Sequence, residues 1–152
     1  DPGREEEVVT RLARVGYDHP IGYLKGGIDS WIQAGKEVDR IESVNVEQIS
    51  ELLQNDPSII LLDVRKASEF HSEHVIGAEN VPLDYLNEHL AKIDKNKTYA
   101  VHCAGGYRSM IFNSILKARG FDNLIDVKGG FKAIKESGKF EVSNYVCPST
   151  LL

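Results

Sequence analysis

Residues Thr98-Tyr99-Ala100-Val101-His102-Cys103-Ala104-Gly105-Gly106-Tyr107-Arg108-Ser109 pass from a short apolar segment through a glycine pair into a polar stretch. An apolar run of this length with no alternation suits a strand covered on both faces, the habit of a parallel sheet. Tyr107 to Arg119 then carries helical spacing and stops at Gly120, a residue suited to the left-handed turn after a helix. Strand, glycine loop and helix make one βα unit. In a sheet assembled from such units, the working edge lies at the carboxyl ends of the strands. Cys103 falls on that edge.

The same grammar repeats outward from this unit. Ser58 to Val64 is a second nearly unbroken apolar run, and Leu124 to Val127 a third. Asn45, with Gln48 three residues on, reads as a capping box before a helix whose apolar stripe is Val46, Ile49, Leu52 and Leu53. Lys66 to His71 has room for one or two helical turns, and Val75 to Pro82 reads as irregular or briefly extended. Leu86, Leu90 and Ile93 mark one helix with a polar face. Gly129-Gly130 forms a turn before a last short helix, Phe131 to Glu136. The expected class is α/β, a central and mostly parallel sheet of about five strands with helices on both faces.

At the sheet edge, the amides of the Cys103 loop and of the helix it opens carry partial positive charge and favour an anion. A thiol placed there is expected to be acidic and nucleophilic. Gly105 and Gly106 let the backbone curl round the sulfur, and Arg108 adds a fork of donors for an anionic substrate. A lone cysteine after a strand is otherwise a small buried hydrophobe; the glycine pair and the arginine move the reading to a nucleophile. Asp63 and Arg65 also end a strand on this edge. They contact substrate or, the favoured reading, form a structural network with Glu69. His102 points to the other side of its strand from Cys103 and reads as packed rather than as a base. Tyr107 either lines the entrance or is simply exposed. His71 and His74 lack further ligand spacing around them, so no metal is expected. Cys147 reads as a terminal cysteine rather than a resolving thiol.

Composition limits the alternatives. The 152 residues are 41% hydrophobic and 27% charged with a net charge of −5. That is globular and argues against nucleic acid or an anionic membrane as partner. No apolar run approaches the roughly 20 residues of a membrane span. The opening Asp1-Pro2-Gly3-Arg4-Glu5-Glu6-Glu7 is unlike a secretory leader. Two cysteines make no disulfide framework, so a cytoplasmic setting is expected.

The chain also repeats itself. Val15-Gly16-Tyr17-Asp18 recurs as Arg119-Gly120-Phe121-Asp122, Leu24-Lys25-Gly26-Gly27 as Val127-Lys128-Gly129-Gly130, and Ala34-Gly35-Lys36 as Ser137-Gly138-Lys139, with Arg4 opposite Arg108. Residues 1–41 thus read as the C-terminal remnant of a preceding repeat, 42–146 as a complete copy, and 147–152 as a tail. Residues 1–40 should not fold alone. They are expected to dock on the complete copy or on the equivalent part of another chain, as a homodimer.

Cys103 to Ser109 resembles the active-site loop of rhodanese-type sulfurtransferases. Leu62-Asp63-Val64-Arg65 with Glu69-Phe70, the stretch Glu73 to Pro82, and Asp126 to Phe131 are similar to the family's other signatures. Ile134 departs from a common tryptophan. The resemblance implies a Cys103 persulfide that carries a sulfane sulfur from thiosulfate or a low-molecular-weight persulfide to a thiol or cyanide acceptor. It implies substrate contacts from Ala104, Gly105, Gly106, Tyr107, Arg108 and Ser109, and no cofactor. Four residues separate Cys103 from Arg108, against five in the related dual-specificity phosphatases and arsenate reductases. The shorter loop favours sulfur. The tandem arrangement also resembles bacterial proteins in which a metallo-β-lactamase-fold hydrolase precedes two such domains, which makes a hydrolase domain an expected partner. The competing reading is a non-catalytic module that docks or regulates that partner.

Overall fold

A computed structural model describes residues 3–14 and 16–147. Asp1, Pro2, Val15 and all of the expected tail except Cys147 lie outside the described residues. The chain divides into two compact units, residues 1–40 and 41–152.

The first unit holds two helices, α1 (Glu5–Ala13) and α2 (Gly27–Gln33). Glu5, Glu6 and Glu7 occupy the first turn of α1, where carboxylates suit the helix dipole. Neither helix buries a residue.

The second unit contains β1 (Glu42–Val44), α3 (Val46–Asn55), β2 (Ile60–Asp63), α4 (Ala67–Ser72), β3 (Glu79–Asn80), α5 (Leu86–His89), β4 (Tyr99–His102), α6 (Tyr107–Ala118), β5 (Leu124–Val127) and α7 (Gly130–Ser137). The five strands are ordered β1-β5-β4-β2-β3, and every pairing is parallel. The capping box at Asn45 forms as read: its side chain accepts from the Gln48 N–H, and the Gln48 side chain accepts from the Asn45 N–H.

Alternation along the strands makes two cores. Leu62, Val101, Cys103 and Leu124 face one side, with Phe112 and Leu116 of α6. Leu61, Ala100, Ile125 and Val127 face the other, with Ile49 of α3 and Ile134 of α7. Ile134 is fully buried, so a smaller side chain fills the place of the common tryptophan.

The helix expected through Leu86, Leu90 and Ile93 is broken. Only α5 is α-helical there, and single 3-10 turns flank it at Leu83–Tyr85 and Leu90–Lys92. The stretch is tied at one end by the Leu83 N–H to the Val64 carbonyl and at the other by the Asp94 N–H to the Tyr99 hydroxyl. Tighter winding rises further per residue and spans the gap.

Candidate active site

Cys103 is the first residue beyond β4, and its position is set by what happens to the loop carbonyls. The Phe131 N–H donates to the Cys103 carbonyl at 2.7 Å, and the Lys132 N–H to that of Ala104 at 3.2 Å. Both donors lie in the first turn of α7, where amides have no partner inside the helix. The approach requires glycine at 130. A Cβ there would lie 2.4 Å from the Cys103 carbonyl oxygen and 2.8 Å from the Ala104 carbonyl carbon.

With those carbonyls engaged, the loop amides turn toward the sulfur. The Gly106 N–H donates to Cys103 Sγ at 3.1 Å. The Gly105 and Ser109 N–H groups and the Ser109 hydroxyl complete the ring. Gly106 sits at φ +105°, in the left-handed region that only glycine enters cheaply. Cys103 is just 2% exposed. Burial pushes its thiol up, but the four donors outweigh burial and hold it below the ordinary thiol value. The donors favour the thiolate over the thiol.

Ser109 is divided between two acids. Its hydroxyl lies 2.7 Å from Asp126 Oδ1 and 3.1 Å from the Gly106 carbonyl, while the sulfur is its third acceptor. One proton cannot serve all three. Asp126 is buried on β5, and its other oxygen accepts from the Ser43 hydroxyl at 2.9 Å, across from it in register on β1.

Arg108, read as a fork for an anionic substrate, has its fork occupied: Nη1 and Nη2 bind Glu69 Oε2 and Oε1 at 2.6 and 2.9 Å. The pair is partly open to solvent, with side-chain exposures of 29% and 35%. Arg108 draws Glu69 below the usual carboxylate range, and Glu69 in turn raises Arg108. Glu69, expected beside Asp63 and Arg65, therefore binds Arg108 at the start of α6 and accepts from the Lys66 N–H at 3.2 Å.

Asp63 and Arg65 form the sealed counterpart. Arg65 Nε donates to both Asp63 oxygens at 2.9 Å, and Nη2 donates to the Glu73 carbonyl at 2.8 Å. The guanidinium lies 4.0 Å over the Phe131 ring. Both side chains are buried, as a structural pair would be.

His102 is buried on the opposite side of β4 from Cys103, 6.3 Å from the Phe131 ring. Burial lowers its pKa, against the pull of Asp63, so the ring is neutral and packed. Tyr107 is 81% exposed at the start of α6. His74 stacks on Phe70 at 4.0 Å, with Nδ1 2.8 Å from the Phe70 carbonyl. Among the described residues, no three His, Cys, Asp or Glu side chains cluster as metal ligands would. Cys147 is exposed, next to Val146, whose N–H and carbonyl are both bonded to Ser72.

The roles of Asp126, Gly130 and the α7 amides were missed in the sequence. Its signals were present as an acid in an otherwise apolar strand and as the second glycine of Gly129-Gly130. Neither signal names the distant partner.

The family model for the rhodanese-like domain matches residues 45–137. A putative sulfur carrier protein, YrkF of Bacillus subtilis, is 26% identical over 108 residues, which cover 71% of this chain and 56% of that protein. The thiosulfate sulfurtransferase GlpE of Tolumonas auensis is 32% identical over 89 residues, 59% of this chain and 83% of that one. A rhodanese-related protein from Thermoplasma volcanium has a solved structure that aligns with TM-score 0.60 at 30% identity, covering 67% of this chain and 97% of that one. The chain spans 56% to 63% of the length of the curated relatives it matches first.

Proposed function

The chain belongs to the rhodanese-like domain family, and from that premise we propose that it is a sulfurtransferase working through a Cys103 persulfide. The observation that carries this reading is the ring of donors from Gly105, Gly106 and Ser109 around a thiol held below its ordinary pKa. The names of the sulfur carrier and thiosulfate sulfurtransferase relatives support it.

The Cys103 thiolate attacks the sulfane sulfur of the donor and forms a new S–S bond. The old bond breaks, and its electron pair leaves as sulfite from thiosulfate or as a thiolate from a persulfide. An acceptor thiolate or cyanide then attacks the terminal sulfur, and Cys103 leaves with the pair from its own S–S bond. The same loop amides that hold the thiolate hold the negative terminal sulfur. No redox partner enters, because the sulfur is only passed on.

The working partners are a small sulfur donor and a thiol acceptor, in a reducing compartment such as the cytoplasm. No helix among the described residues is long and apolar enough to cross a membrane. A hydrolase of the metallo-β-lactamase fold is the proposed neighbour in a longer protein. A docking module without catalysis is the second reading, and the burial of Cys103 favours it.

Incubation with thiosulfate, and separately with glutathione persulfide, followed by intact mass and thiocyanate release on adding cyanide, separates the two. A gain of one sulfur atom with turnover, absent in Cys103→Ser, is the expected result. A chain that takes no sulfur from either donor is the docking module.

A further inference from the structure

Residues 4–40 repeat the last third of the complete domain in conformation as well as in sequence. α1 falls opposite residues 109–117 of α6, and α2 opposite residues 130–136 of α7. Four glycines repeat their left-handed angles: Gly16 and Gly120 at +90° and +80°, Gly26 and Gly129 at +83° and +77°, Gly27 and Gly130 at +58° and +57°, Gly35 and Gly138 at +65° and +64°. A shared left-handed pattern at matched positions marks one chain path used twice.

Burial differs at every apolar position. Val8, Leu12, Tyr17, Leu24, Ile28 and Trp31 are exposed; their counterparts Phe112, Leu116, Phe121, Val127, Phe131 and Ile134 are buried. Ile28 is 62% exposed against 8% for Phe131. Residues 21–24, opposite β5, form no strand. In the complete domain β5 lies between β4 and β1, while α6 and α7 contribute to the cores on opposite faces of the sheet. A cleft of about 840 Å³ lies along the exposed set, lined among others by Val8, Val9, Leu12, Tyr23, Leu24 and Ile28. An apolar patch of this kind on folded chain marks an interaction surface.

We infer that residues 4–40 are a docking surface for the strand-bearing half of a rhodanese-like repeat, of the kind that residues 42–103 make here. Residues 21–24 enter as a parallel strand between its equivalents of β4 and β1, and α1 and α2 close over its two faces. The mode is strand complementation, with partner chemistry set by the complete copy: apolar on both faces, with strands equivalent to β4 and β1 on either side of the place that β5 fills here.

The test precedes the full chain with an added copy of residues 42–104 carrying Cys103→Ser. Four residues then separate position 103 of the copy from Arg4, as four separate Cys103 from Arg108. Trp31 is the chain's one tryptophan and reports its own burial. The expected result is a blue shift of Trp31 emission, loss of dye binding to apolar surface, and amide exchange at 21–24 slowed on the order of 100-fold. A second fusion carries Val8→Phe, Tyr17→Phe, Ile28→Phe and Trp31→Ile to match the copy's own cores; protection of 21–24 in this one alone also supports the inference. Unchanged exchange at 21–24 in both fusions overturns it. So does a 152-residue chain that sediments as a dimer with Trp31 buried and reverts to monomer in Leu12→Asp/Ile28→Asp, because a second copy is then the occupant.

Discussion

Two arginines near the candidate site each hold a carboxylate, and they do different work. Arg65 and Asp63 are both buried, with the Arg65 guanidinium over Phe131 and bonded to the Glu73 carbonyl. Arg108 and Glu69 make a bond of similar geometry, but a third of each side chain meets solvent. Burial is the difference that decides their energetics. A charge without water depends entirely on its partner, so the first pair supports the fold. A partly wet charge keeps its solvation when the partner changes, so under the proposed function it is the second pair that would exchange its carboxylate for a substrate anion.

The largest expected effect comes from breaking the sealed pair. Asp63→Asn leaves the Arg65 charge buried beside a neutral amide and costs about 3–5 kcal/mol of stability, measured by urea denaturation. A loss no larger than that of a surface substitution would erase the distinction between the pairs. Glu69→Gln sharpens it from the other side. Stability falls by under about 1 kcal/mol, while kcat/KM for the thiosulfate dianion rises about tenfold, because Arg108 loses its counter-charge. An unchanged rate would mean that Arg108 serves only to hold α4 against the loop.

A smaller effect tests the Ser109 proton. Ser109→Ala removes a donor from the thiolate and raises the midpoint of Cys103 alkylation with pH. Asp126→Asn offers an amide donor to the Ser109 oxygen, frees the hydroxyl proton for the sulfur, and lowers that midpoint. Each shift is about one pH unit or less. Shifts in the same direction would show that Asp126 acts only by holding β5 and β1 together.

The smallest effect is that of His102. Its folded pKa lies below its ordinary 6.5 because burial penalises the charged ring. Between those two values the unfolded chain binds the extra proton, so stability is complete above pH 6.5 and declines as pH falls toward the folded value. Thermal melts from pH 7.5 down to pH 5 should show the decline, and His102→Gln should flatten it.

Much of this was legible beforehand because it is local. The capping box at Asn45 and the helix from Tyr107 need only neighbours within a few residues. The α5 stretch was misread because its winding answers to ties on Val64, just beyond β2, and on Tyr99 of β4, outside its own sequence. The partner of Glu69 was misassigned for the same reason. Asp63, Arg65 and Glu69 are close in the chain, but Arg108 is brought to Glu69 across 39 positions.

Residues 4–40 show the limit of local coding most directly. Two helices and four left-handed glycines form from sequence alone, because a helix satisfies its own backbone. Residues 21–24 form no strand, because an extended backbone bonds only to a neighbouring strand. At Cys103 likewise, the sequence determined a cysteine-bearing turn between a strand and a helix, through apolar spacing and glycine. Only the tertiary structure decided which way its amides face, because α7 and Gly130 must arrive from beyond β5 to engage the carbonyls of Cys103 and Ala104.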